Sequence, residues 1–527
     1  MTDCIHSFVF KTGSAVAASV ADSTVRLLPV WNGVILGADV LSKADASALE
    51  SWRKKAAFTG EAATIAWPQG LSVPVLLAGM GMTDDFQMVR WFRGFAAAGC
   101  ALADSVYDRA RIDASILPAI SDAGVTPASV VRRMVEGLVF GPFRFTRFRR
   151  TAPAAQRAAR TMTMELAGDA FSTPALRAAV EAGRLTAATL NEVRDSANLP
   201  ANWFGPADLA AYARHLAART PGLSCKVWDA AALRREKAGA LLAVGQGSRR
   251  PPCLIRVAYT PSAAAAKARP ARVLVGKAIL FDAGGICLKP PKGMEWMQYD
   301  KCGGMTVLAT VLLAARLRLP RPVIAYIPAA ENLPGGNAQR PGDLVIARNG
   351  KSIEVLNTDA EGRLILADAL TFAADEHPEA IVDVATLTGA VVLALGHEAT
   401  GVMSSDTALL RALGRAGDES GERLWPLPMW EEYEAPIRGT FGDLRNMGAP
   451  GAAGTIAGAV FLQQFVPPEI PWAHLDVAGT AWTETPLSWC APGATLSCAR
   501  LLTAWLEEEA ALPSPSKKPP RKRARRS

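Results

Sequence analysis

The second half of the chain places acidic residues where apolar runs end. Asp282 directly follows the run Val273–Phe281 and is followed by Gly284-Gly285. Asp359 and Glu361 follow Ile353–Leu356 within Asn357-Thr-Asp-Ala-Glu-Gly-Arg363, and Asp300 lies in Tyr299-Asp-Lys-Cys-Gly-Gly304, ahead of a helical pattern. Carboxylates gathered at strand ends in an apolar protein repel one another, and burial raises their pKa values. Two divalent cations would hold them together, since oxygen ligands and bridging carboxylates suit Mg, Mn or Zn. Any one of these acids could instead cap a helix; four of them beside glycines point to a shared task.

Three basic residues fall in the same segments. Lys277 lies inside an apolar strand pattern, which tolerates a lysine only when it is paired, neutral or metal-bound. Lys289 follows Asp282 by seven residues, and Arg363 stands two beyond Glu361. Lys292 and Lys301 read as solvated. Other chemistries are absent. There is no H-E-x-x-H, the five histidines are far apart, and neither G-x-S-x-G nor a P-loop occurs in context. His474 reads as a structural residue ahead of a strand. Gly79-Met-Gly81 lacks the third glycine of a dinucleotide loop and reads as a strand-to-helix turn. Phe140–Arg150, with its arginines among phenylalanines, reads as a strand or loop closing a domain rather than a nucleic-acid patch.

The elements that must position these residues alternate as βα units. Val25–Trp31 and Ser72–Gly79 read as buried strands and Phe86–Ala103 as a helix. Pro174–Ala197 reads as a helical bridge with Thr173 as N-cap and Pro174 at its first position. Beyond it, Val273–Phe281, Val323–Ile327 and Ala380–Thr386 read as strands, with helices over Met305–Leu317 and Arg363–Asp375. Asn349-Gly350 marks a hairpin. Such alternation implies a mainly parallel sheet with a ligand site at the carboxyl ends of its strands.

With 527 residues, half of them hydrophobic, the chain has room for two to four domains, each with its own core. The net charge of +8 invites a nucleic-acid reading, but seven of those charges sit between Lys517 and Arg526, so the body is nearly neutral. The expected organisation is an N-terminal α/β domain over 1–180, a catalytic α/β domain over 181–512 and a disordered basic tail over 513–527. The eight cysteines are scattered without a C-x-x-C pair, and the first residues carry no basic, apolar leader. No apolar stretch is long enough to span a bilayer. The expectation is a reducing, cytoplasmic compartment.

Asn357-Thr-Asp-Ala-Glu-Gly-Arg-Leu364 resembles the signature octapeptide of the leucine (cytosol) aminopeptidase family of dinuclear metallopeptidases. Gly245-Gln-Gly-Ser248, Val275-Gly-Lys277, Phe281-Asp-Ala-Gly-Gly285, Leu288-Lys-Pro290, Glu331-Asn332, Arg340-Pro-Gly-Asp343 and Ala385-Thr-Leu-Thr-Gly389 match in the same order, so the resemblance covers roughly 190–505. It implies a macro-like N-terminal α/β domain and a catalytic domain with a mixed, mostly parallel sheet. It also implies two divalent ions, Zn or Mn with Mg or Co as alternatives. Lys277, Asp282, Asp300 and Glu361 would bind the tighter one, and Asp282, Asp359 and Glu361 the more exchangeable one. Lys289 would polarise the scissile carbonyl, and Arg363 would hold a bicarbonate that relays a proton. Met297, Asn357, Ala360, Thr386, Leu387, Gly389, Ala478 and Ala481 would line the pocket for the N-terminal side chain, Leu- or Met-like with broad tolerance. The small residues at 478 and 481 would enlarge that pocket.

Two departures, Lys301-Cys302 after Asp300 and Gly335-Gly336 before Asn337, remove no ligand. The partners implied are peptides with a free N-terminus and five further copies in a homohexamer, with no membrane. The alternative is an additional DNA-binding or scaffold role through the assembly or the basic tail.

Overall fold

The computed structural model describes residues 7–13, 23–121, 124–149 and 161–508; the tail over 513–527 lies outside the described residues. Two sheets organise them. The first runs in the order Ser7–Gly13, Thr161–Ala167, Arg109–Asp113, Val25–Trp31, Val75–Gly81 and Ile65–Ala66, with the first five strands parallel. Helices Met88–Ala103 and Pro127–Phe140 belong to this half.

The second sheet runs Leu424–Pro426, Thr400–Met403, Trp472–Asp476, Ala380–Ala385, Arg272–Gly276, Val323–Asn332, Cys253–Tyr259 and Leu223–Trp228. Its centre is parallel, with Arg272 in register with both Val323 and Ala380, and its edges turn antiparallel. Ile381, Val382 and Val384 are fully buried because helices cover both faces, each side chain contributing about 1.5–3 kcal/mol.

The bridge helix spans Pro174–Ala197, with the Thr173 hydroxyl accepting from Leu176 N at 3.4 Å. Position 180 falls inside it. The helix ties the halves together through Arg194, which donates to Phe140 O at 3.1 Å and to Ala494 O at 2.9 Å. The Arg194 guanidinium also lies over the rings of Phe140 and Phe143, at 4.1 and 4.3 Å. After the helix ends at Phe140, residues 141–149 form turns and loop, with no strand. The seven described cysteines are free, and no described helix is long and apolar enough to cross a membrane.

Three expectations need correction. Val273–Phe281 is two strands, Arg272–Gly276 and Ala278–Asp282, broken at Lys277. There the N-terminus of helix Cys302–Arg316 presses on the chain, and a Cβ at Gly276 would stand 2.5 Å from Gly303 O. The break frees the Lys277 side chain to turn toward the acids. Lys301 is fully buried rather than solvated; its ammonium donates to Leu199 O at 3.0 Å and to Gln298 O at 2.5 Å, and burial pushes it down to about 8. His474 lies within strand Trp472–Asp476, not ahead of it, and its Nδ1 meets Asp383 Oδ1 at 2.5 Å.

Candidate active site

The parallel strands Arg272–Gly276, Ala380–Ala385 and Trp472–Asp476 end side by side, and the acids gather there. Asp282 closes strand Ala278–Asp282, Asp300 follows the 3-10 turn Met294–Tyr299, and Asp359 and Glu361 lie in the loop entering helix Gly362–Ala374. A carboxylate at that helix start is favoured by the exposed N–H groups of the first turn. Oxygen atoms of Asp282, Asp359 and Glu361 all lie within 4.8 Å of one another. Lys277 joins Asp300 to the group, its Nζ standing 2.9 Å from Asp300 Oδ1 and 2.8 Å from Glu361 Oε1 and donating to Thr386 O at 2.8 Å. Lys289 Nζ stands 2.9 Å from Asp282 Oδ2 and 2.5 Å from Asp359 Oδ1.

The electrostatics follow from crowding in a dry place. Burial raises the Asp300, Glu361 and Asp359 carboxyls; Asp282 pushes further on each, and the lysines oppose it. Burial pulls the Lys277 ammonium down, but Asp300, Glu361 and Asp282 together outweigh it and raise it; Lys289 is raised in the same way by Asp282, Glu361 and Asp359. The two ammonium groups do not saturate the acids. Asp300 Oδ2 is buried without a hydrogen-bond partner, and Asp359 Oδ1 and Glu361 Oε1 meet the lysines at ion-pair distance but outside hydrogen-bond geometry. A buried acceptor without a partner, as Asp300 Oδ2 is, costs about 1–3 kcal/mol, and hard divalent cations with oxygen ligands fit this donor set.

Glycine makes the approach possible. Gly284 has φ +88°, and a Cβ on it would stand 2.9 Å from Asp359 Oδ1; a Cβ on Gly362 would stand 2.7 Å from Lys277 Nζ. Arg363 is buried, has no ion-pair partner among the described residues, and keeps its Nε without a hydrogen bond; burial lowers its guanidinium to about 10.

A cavity of about 830 Å³ opens onto Lys277, Asp282, Lys289, Asp300, Asp359 and Glu361. Of the residues expected to surround the substrate side chain, Met297, Thr386, Leu387, Gly389 and Ala478 line it. Asn357, Ala360 and Ala481 do not, and neither does Arg363. Asn357 instead accepts from Asp359 N at 2.9 Å. Glu331 lies away from the acids, bound to Ser248 and Arg250 at 2.6 and 3.2 Å.

Sequence reasoning missed the residues that brace the site. Asn332 donates to Asp282 Oδ1 at 2.8 Å and to Thr358 O at 3.0 Å, joining two ligand segments; its place in Glu331-Asn332 was the available signal. Asp476 accepts from Leu387 N at 3.1 Å and from the Thr388 hydroxyl at 2.7 Å. Asn446 accepts from Leu356 N at 2.7 Å and donates to Asn357 O at 2.6 Å, clamping the loop that carries Asp359 and Glu361. Nothing local in the sequence marks Asn446. Asn446→Ala removes both bonds and is expected to cost about 1–3 kcal/mol in urea unfolding. It is also expected to weaken metal affinity about 10–100-fold in a chelator competition.

Comparison with known proteins places this arrangement. The model of the cytosol aminopeptidase family catalytic domain matches residues 191–503. The protein named "Probable cytosol aminopeptidase" in Syntrophotalea carbinolica is 44% identical over 458 residues, 86% of this chain and 90% of that one. The like-named protein of Stutzerimonas stutzeri is 38% identical over 483 residues, 90% of this chain and 95% of its own. A mutant of tomato leucine aminopeptidase superposes with a TM-score of 0.82 at 28% identity, over 95% of this chain and 96% of that one. The bottromycin maturation enzyme BotP in complex with Mn gives 0.78 at 30% identity, over 92% and 99%. The chain belongs to the cytosol aminopeptidase family, and it is a metal-dependent hydrolase that acts at the N-termini of peptides.

Proposed function

We propose that this chain removes N-terminal residues from peptides with the help of two divalent cations. The observation that carries the reading is the convergence of Asp282, Asp359 and Glu361 oxygens within 4.8 Å, with Asp300 tied in through Lys277. Lys277, Asp282, Asp300 and Glu361 would hold one ion, and Asp282, Asp359 and Glu361 the other. When bound, such ions polarise oxygen ligands and lower the pKa of water toward neutrality. Lys277 would serve as a ligand in its neutral amine form, which a neighbouring dication would favour. Because BotP is known with Mn, Mn is the first ion to load, with Zn, Mg and Co to follow.

The remaining steps belong to the chain. Lys289, at the cavity wall and bound to Asp282 and Asp359, is placed to donate to the scissile carbonyl oxygen as negative charge develops on it. Arg363, a buried cation without an ion-pair partner among the described residues, would hold a bicarbonate, which would supply a base for proton transfer toward the leaving amine. Met297, Thr386, Leu387, Gly389 and Ala478 receive the N-terminal side chain, and Asn357 and Ala360 shape the loop behind them. Exposed Trp430 and Phe441 supply apolar surface that supports assembly into the homohexamer. The reading is of a cytoplasmic enzyme acting on peptides.

Recognition of a free α-amine separates an aminopeptidase from other peptidases. The Mn-loaded protein is expected to hydrolyse Leu-Gly and to leave N-acetyl-Leu-Gly intact, followed by release of free leucine. Equal cleavage of both would overturn the reading.

A further inference from the structure

The cavity does not stop at the expected substrate pocket. Thr386, whose hydroxyl donates to Asp300 Oδ1 at 2.7 Å, begins one wall. Leu387 and Ala478 sit side by side there, because both main-chain N–H groups donate to Asp476 Oδ1, at 3.1 and 3.2 Å. The wall continues through Thr480, whose hydroxyl meets that of Thr400 at 2.9 Å and whose carbonyl accepts from Thr495 at 2.6 Å. Arg500 also lines the cavity, held by Glu422 at 3.3 Å, with its guanidinium 3.6 Å above the ring of Phe92. Phe92, Val89 and Arg93 come from helix Met88–Ala103 and Phe140 from helix Pro127–Phe140, so the far wall is built by the N-terminal half.

Two features describe what fits there. The walls are aromatic, with Phe92, Phe140, Trp482 and Trp489 all lining the cavity, and Phe92 and Trp489 meet edge to face at 6.3 Å. Arg500 has a side chain only 10% exposed, and its Nη1 is buried without a hydrogen-bond partner. The charges around it balance. Arg500 faces Glu422, Arg93 and Arg423 share Glu398 at 2.9 and 3.4 Å, and Glu484 also lines the cavity. A charged occupant is therefore not called for; a ring with one acceptor at its tip is.

We propose that this interdomain extension receives the side chain of the substrate's N-terminal residue and selects large aromatic residues, tyrosine above phenylalanine. The proposal rests on the aminopeptidase reading and adds the N-terminal half as a specificity wall. The ring packs among Phe92, Phe140 and Trp489, and the phenol oxygen accepts from Arg500 once its guanidinium turns the unpartnered Nη1 toward the cavity. At about 830 Å³ the cavity lies within the range of about 300–1,000 Å³ that encloses ligands much larger than a leucine side chain.

The test is kcat/KM of the full-length, Mn-loaded protein on tyrosine, phenylalanine, leucine and alanine amides. Tyrosine amide is expected to exceed alanine amide by about tenfold or more, the scale a filled apolar pocket gives. Arg500→Leu should bring the tyrosine-to-phenylalanine ratio to about one while phenylalanine stays ahead of alanine. Ala478→Met, which narrows the passage, should cut the tyrosine-to-alanine ratio about tenfold. Competitive inhibition of the unmodified protein by tyrosinol should be about tenfold tighter than by alaninol, a reading independent of how the variants fold. Preference for leucine over both aromatic amides, or equal inhibition by the two amino alcohols, would overturn the proposal alone. No turnover of any amide would overturn the aminopeptidase reading as well.

Discussion

Glu361→Ala is expected to lower kcat/KM on leucine amide by about a thousandfold or more, the equivalent of about 4 kcal/mol at the transition state. Glu361 is buried, lies in the Asp282–Asp359 cluster, and contacts Lys277 at 2.8 Å, so it belongs to both proposed cation sites. Its removal withdraws a ligand from each and leaves the buried Lys277 with Asp300 as its remaining contact carboxylate. Truncating the buried side chain also leaves a cavity beside Lys277, so the same variant should melt somewhat early. Glu361→Gln separates the effects. It keeps the side chain's volume, and should lose metal content and turnover while losing less stability. The check is kcat/KM together with bound metal per chain and a urea unfolding curve.

Lys289→Ala should act by another route. Its side chain is 21% exposed and reaches the cavity from the segment after Asp282, where its loss disturbs no core. Removing a donor aimed at a developing oxyanion costs about 10²–10³ in kcat. Steady-state kinetics should show that loss in kcat with KM little changed, while bound metal and the melting curve stay near those of the unmodified protein. A fall in metal content equal to that of Glu361→Ala would assign Lys289 to metal binding instead.

Much of this is legible in the amino-acid sequence. The bridge helix begins and ends where Thr173, Pro174 and Ala197 place it, because capping chemistry is local. Asp282 was readable because an apolar run stops at it, and the hairpin at Asn349-Gly350 forms as its turn residues require. The strand expected over Ile353–Leu356 is instead Ser352–Glu354, so Asp359 and Glu361 lie beyond it in the loop entering helix Gly362–Ala374. What was not legible depends on distant chain. Lys277 interrupts its strand because helix Cys302–Arg316 presses on Gly276, and Lys301 is buried because carbonyls of residues 199 and 298 await its ammonium. Asn446 braces a loop some ninety residues earlier in the chain. The rings of Phe92 and Phe140 reach the cavity through the packing of two halves whose contact no periodicity reveals.

On the proposed reading, hydrolysis requires two divalent cations held by these acids. Titrating metal-free protein with Mn while following release of leucine from leucine amide tests it most directly. Activity should be absent in chelator, rise with added metal and level off only at two ions per chain. Full activity in chelator, or a plateau at one ion, would contradict it.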